Sequence, residues 1–123
     1  MVDKYQVAEE FRSIQDEICR GLEEEDGGAL FQEDAWSHES GGGGRTRLIS
    51  NGRVFEKGGV NFSAVEGKLP SFMKDKVSPN ATQFFATGVS IVIHPHSPMV
   101  PIIHMNIRYF ETDAGDCWFG GGI

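Results

Sequence analysis

At Gly27-Gly28 the chain changes period, and that change limits the fold more than any other feature of its 123 residues. Before it, Val7, Phe11, Ile14, Ile18 and Leu22 recur at intervals of three and four, the stripe of an amphipathic helix over residues 3–25. The other face of that helix carries Glu9, Glu10, Arg12, Asp16, Glu17 and Arg20 and reads as a solvated surface. After it, helical spacing is lost and β-like runs follow at 29–36, 45–50, 53–62, 84–94 and 102–112. Strands joined by turns, without a helix between each pair, predict an antiparallel sheet and an α+β fold. Asn51-Gly52 predicts a hairpin closed by a type I′ turn, with 46–50 against 53–57. Residues 70–76 read as a short helix and Ser78-Pro79-Asn80 as a turn.

Composition excludes several classes of function. A net charge of −7 argues against nucleic acid as a partner, because that affinity comes mostly from neutralised phosphates. No window approaches the roughly 18 to 20 apolar residues of a membrane helix, and Asp3, Lys4, Glu9 and Glu10 stand where a signal peptide would be apolar. Cys19 and Cys117 allow one disulfide by arithmetic but read as reduced thiols. The acidic N-terminus also lacks the Arg- and Ser-rich character of a mitochondrial presequence, so a cytoplasmic protein is expected.

The chemistry is concentrated in 89–94 and 102–110, separated by the loop PHSPMVP. Alternation puts Ser90, Val92 and His94 on one face and Ile91 and Ile93 on the other. In the second run Ile103, Met105, Ile107 and Tyr109 share a face, opposite His104, Asn106 and Arg108. A hairpin with His94 near Ile102 sets Val92 beside His104 and Ser90 beside Asn106. Two histidines, an amide, a hydroxyl and a guanidinium among apolar neighbours suit a pocket floor for a carboxylated organic ligand. Structural polar groups beneath a second layer are the other reading of the same pattern.

A metal-dependent enzyme using His94, His96 and His104 competes, although Pro95 and Pro98 disturb the strand and no CxxC or HExxH spacing is present. His38, among Ser37, Glu39 and Ser40, reads as a surface residue. Gly41 to Gly44 fits a flexible turn, since no GK[ST] follows it. Gly58-Gly59 and Gly120 to Gly122 fit bulges, or places where a ligand approaches the backbone.

FQEDAW, GGGGRTR, NGRVFEKGGVNFSAVEGKLP, VSIVIHPHSPMVPIIHMNIRYFE and CWFGGG occur in the order found in oxygen-dependent coproporphyrinogen III oxidases, and the chain resembles that family from its first helix to its last residue. The resemblance implies a large, mainly antiparallel sheet flanked by helices, of which residues 1–123 hold about the first half as a single incomplete domain. It implies oxidative decarboxylation of two propionates of coproporphyrinogen III to vinyl groups, with molecular oxygen consumed and carbon dioxide and hydrogen peroxide released. It implies no organic cofactor, a doubtful divalent metal at His94, and a homodimer. By resemblance Ser90 is a substrate contact, His104 the proton donor, and Asn106, Ile107 and Arg108 the segment that grips substrate, with Arg108 on a propionate. Ser97 departs from the Asn usual in the family loop. In the family an acidic residue thought to engage the pyrrole N–H groups follows the glycine run, then a long further region. This piece is therefore expected to be inactive alone, and a non-catalytic tetrapyrrole-binding fragment is a further alternative.

Overall fold

A computed structural model describes residues 2–123. Its elements run α1 (Lys4–Asp26), β1 (Gln32–Ser37), β2 (Gly42–Ser50), β3 (Phe55–Lys68), a 3-10 helix (Ser71–Lys76), β4 (Gln83–Pro95), β5 (Ile103–Thr112) and β6 (Cys117–Gly122). The six strands form one antiparallel sheet in chain order, β1 to β6. The expected α+β architecture is present, with α1 against one face of the sheet and no second α-helix over the other among the described residues.

The helix starts where Asp3 accepts a hydrogen bond from the Tyr5 N–H at 3.0 Å and stops at Gly27, whose φ of 69° suits the left-handed cap. Val7 and Phe11 are buried as the stripe predicts, with Ala8 buried beside them. Further along, the contact line rolls: Gln15 and Cys19 are the buried residues, whereas Ile14, Ile18 and Leu22 are only partly covered. Gln15 is fully enclosed because its amide donates to the carbonyls of Arg45 and Val60, at 2.8 and 2.9 Å. The sheet meets α1 with Ile49, Val60, Phe62, Phe85, Val89, Ile91, Ile93 and Tyr109, all buried. Each large apolar side chain fully removed from water stabilises the fold by roughly 1.5 to 3 kcal/mol before entropy is counted.

The hairpin after β2 exists, but its turn is wider than Asn51-Gly52 predicts. Ser50 pairs with Lys57, and Asn51, at φ 54°, is the residue with positive φ while Gly52 is not. A type I′ turn needs both. The wider loop follows from Asp26, whose carboxylate accepts from the N–H groups of Arg53, Val54 and Phe55 as well as Ala29. Gly52 lies so close to that carboxylate that a Cβ there would meet its Cγ at 2.6 Å. A bulge between Phe55 and Lys57 then keeps Phe55 under the helix and turns Lys57 to the other face.

Two other expectations change. Gly42 to Gly44 extend β2 instead of forming a loose turn, and Cys117–Gly122 pair with β5 as a sixth strand. Three consecutive glycines are a poor strand signal. Here they fit because the β5 backbone runs close beside them: a Cβ on Gly121 would collide with the Asn106 carbonyl.

Candidate functional site

Strand alternation divides the sheet chemically. Rows of directly opposed residues cross its uncovered face: Leu48, Gly59, Val92 and His104 in one row, then Thr46, Asn61, Ser90, Asn106 and Gly122, then Gly44, Ser63, Gly88, Arg108 and Gly120. The register read from the sequence, Val92 with His104 and Ser90 with Asn106, is the one observed. His104, Asn106, Arg108 and Ser90 therefore come together on one open surface. No α-helix of the described residues seals them from above.

Small residues make this surface a trough. Gly59, Gly88 and Ala86 leave the centre low, and Gly120 and Gly122 the β6 edge. At one end Phe110 stacks between Phe84 and Trp118, with ring centroids 5.9 and 4.7 Å away. Towards the other end the His94 and His104 rings lie 6.1 Å apart. A cavity of about 290 Å³ lies between, lined by Asn61, Ser63, Gly88, Ser90, Asn106 and Arg108. A second, of about 470 Å³, continues along the same face past Asn61 and Ser90 to Val92, His94 and Lys57.

Within the floor, Arg108 donates from Nε and Nη2 to Asn106 Oδ1, at 3.2 and 2.9 Å. This fixes the plane of the guanidinium, so it meets a carboxylate without first losing side-chain freedom. Ile107 is placed differently from its neighbours. Its side chain packs against the core on the helix-covered face, so the backbone between Asn106 and Arg108 is what it offers to the cavity.

The three imidazoles of the metal reading do not converge. His96 Nε2 donates to the Gly52 carbonyl at 2.8 Å, away from the His94 and His104 pair. Among the described residues no group of three His, Cys, Asp or Glu side chains is arranged to hold an ion. His38 is exposed, with Nδ1 beside the Ser40 hydroxyl at 2.8 Å. Cys19 is buried and Cys117 exposed, both as free thiols, and burial pushes the Cys19 thiol above its ordinary range.

Asn61, Ser63 and Lys57 join the floor without standing out in the sequence, although they alternate with Gly58, Val60 and Phe62 along β3. The signal is a period of two ending on a polar series. Recognising it needs the β3–β4 register. Away from the floor, Asp113 accepts from the Thr82 hydroxyl at 2.6 Å and from the Thr82 and Gln83 N–H groups, which holds its carboxyl at about 2.

Comparison with known proteins fits this geometry. The family described as Coproporphyrinogen III oxidase matches residues 6–123. Curated proteins named oxygen-dependent coproporphyrinogen-III oxidase are 53% identical in Synechococcus sp. (strain CC9902), 50% in a strain of Prochlorococcus marinus and 52% in Parasynechococcus marenigrum (strain WH8102). Each match covers 112 residues and 89% of this chain, but only 30%, 32% and 30% of the respective relative. No helix of the described residues is long and apolar enough to cross a membrane. With nearly the whole length matched and the polar residues of its motifs aligned on one open sheet face, the chain belongs to the coproporphyrinogen III oxidase family.

Proposed function

We propose that this chain supplies part of the substrate floor of an oxygen-dependent coproporphyrinogen III oxidase. The observation that carries the reading is that Ser90, Asn106 and Arg108 line one cavity on the open sheet face, with His104 one row away on the same face. Arg108 pairs with a propionate carboxylate, Asn106 holds the guanidinium in plane, and Ser90 offers a hydroxyl one strand away. The backbone at Ile107 keeps those two side chains two residues apart on the same face.

For each propionate the balance is R–CH2–CH2–COO⁻ + O2 + H⁺ giving R–CH=CH2 + CO2 + H2O2. The methylene next to the pyrrole loses a hydrogen with its electron pair to oxygen. The bond to the carboxyl carbon breaks, and its electrons become the vinyl π bond. In this reading His104, one row from Asn106 on the same face, passes the proton. The electron-rich pyrrole supplies the reactivity, so the floor's contribution is to bind, orient and move that proton. The reading needs no organic cofactor and routes no step through a metal.

The chain spans about a third of its relatives' length, and we assign turnover to the complete protein. The test is fluorescence titration of the chain with coproporphyrin III, a stable oxidised analogue. Saturable binding that Arg108→Ala weakens roughly tenfold or more, with the fold retained, is the expected result. No saturable binding, or full-rate protoporphyrinogen formation by the 123 residues alone, would overturn it.

The same reading includes a homodimer and a cytoplasmic location. The exposed edge strand β1, which carries Trp36 and has Leu48 beside it on β2, supports self-association, and the two free thiols support a reducing compartment. Sedimentation equilibrium and cell fractionation test these two points.

A further inference from the structure

The uncovered face carries a second cationic feature. Lys57 on β3 and His94 on β4 are directly opposed, at the far end of the trough from Arg108. They border the 470 Å³ depression, whose floor is apolar and flat at Leu48, Gly59 and Val92. We infer that Lys57 and His94 form a second carboxylate-holding subsite, which takes a peripheral carboxylate of the macrocycle whose other edge is held by Arg108.

Three observations carry this, and it rests on the macrocycle reading above. The first is the bulge. Phe55 and Lys57 have the same parity and in an unbroken strand share a face, yet Phe55 is buried in the core and Lys57 pairs across the open face with His94. The bulge turns Phe55 into the core and leaves Lys57, in step with Gly59, Asn61 and Ser63, at the end of the β3 series on the open face.

The second is charge. The chain is acidic overall, but the acids of the β2–β6 ladders avoid this face. Glu66 and Glu111 lie on the helix side, where they reach Lys4 and Tyr109, and Glu56 sits in the bulge itself. Lys57 makes no ion pair among the described residues. It faces an imidazole and an apolar floor, a setting that favours an anion.

The third is spacing. Arg108 is opposite Gly88, and His94 lies six residues further along β4, a separation of roughly 20 Å between backbone positions at about 3.3 Å per residue. The arms of Arg108 and Lys57 shorten that gap from both ends. Asn61 and Ser90 border both depressions, so one continuous surface joins the two cations. A ligand must be broad, flat and carboxylated around its rim to engage both. A single short carboxylate engages one.

The test compares two porphyrins on the folded chain. Coproporphyrin III carries four rim carboxylates, and mesoporphyrin IX carries two adjacent ones. Lys57→Ala and His94→Ala should each weaken coproporphyrin III roughly fivefold and leave mesoporphyrin IX within about twofold, while Lys57→Arg restores binding. Arg108→Ala should weaken both ligands. If Arg108→Ala acts and Lys57→Ala or His94→Ala does not, the second subsite is wrong and the functional reading survives. If Lys57→Ala weakens both porphyrins equally, the lysine is a general attractor and the subsite is wrong. If Arg108→Ala has no effect, or neither porphyrin binds saturably, the functional reading fails and the subsite with it. Thermal melts check that the exposed Lys57 is replaced without unfolding, and Lys57→Met repeats the test with the side-chain length nearly kept.

Discussion

Arg108 and Asn106 are locked to one another on the same strand face, with two guanidinium nitrogens on a single amide oxygen. An arginine fixed in this way presents its remaining N–H edge to the cavity. Asn106→Ala frees the fork and should weaken coproporphyrin III binding several-fold, through lost orientation rather than lost charge. Asn106→Asp should be worse than Asn106→Ala, because a carboxylate there competes with the ligand for Arg108. Equal affinities of the two variants in fluorescence titration would remove the orienting role.

Gln15 is a polar side chain of α1 driven wholly into the interface with the sheet, where it serves two strand carbonyls. Gln15→Leu fills much of the same volume but leaves both carbonyls without that donor. It should lower stability by about 1 to 3 kcal/mol in urea unfolding. A variant as stable as the parent would mean that the carbonyls find other partners.

Stability should fall in acid through three aspartates. Asp26 is held far below the ordinary carboxylate range, first by the Ala29 N–H and then by Phe55 and its neighbours. Asp113 is lowered to about 2 by the Thr82 hydroxyl and nearby N–H groups, and Asp116 is lowered by the Thr112 hydroxyl and the Ser78 N–H. A carboxyl depressed by folding stabilises the native state fully above its unfolded value, here 3.8, and that contribution disappears as pH falls through the folded value. The urea midpoint should therefore drop between about pH 4 and pH 2, and Asp113→Asn should make that acid limb shallower. An unchanged slope in the variant would contradict the assignment.

Gly88 tests how closely the floor is built. A Cβ there would meet the Ile107 carbonyl at 2.8 Å and the Arg108 Cβ at 3.3 Å, so Gly88→Ala must push β5 away from β4. We expect a cost of about 1 to 3 kcal/mol and weaker porphyrin binding, measured by urea unfolding and titration of the same preparation. Normal binding with normal stability would show that the strands give way freely.

Much of this was legible from residue spacing. The alternation in 89–94 and 102–110 assigned Ser90, Val92, His94, His104, Asn106 and Arg108 to one face, and the proline-rich loop closes in the register assumed for that hairpin. What could not be read depended on distant partners. The wide loop after β2 is shaped by Asp26 from the end of α1, 27 to 29 residues away in sequence. Asn61 joins Ser90 and Asn106 only once β3 is registered on β4 beyond the bulge. β6 was hidden because a glycine run is a poor strand by composition, whereas the neighbouring backbone leaves no room for anything larger at Gly121. The shift of helix burial toward Gln15 and Cys19 was equally unreadable, since it reflects two carbonyls on the sheet and not the helix's own pattern.

The order β1 to β6 also sets how the molecule assembles. Every strand pairs with its neighbour in sequence, through connections of 4 to 7 residues except the 14 between β3 and β4 that hold the 3-10 helix, so the closure entropy stays small. The distant step is the seating of α1, whose Gln15 must reach Arg45 and Val60 across 30 and 45 residues of chain. Seating α1 on Val60 thus closes a longer stretch of chain than any strand pairing does, and it carries the larger closure entropy.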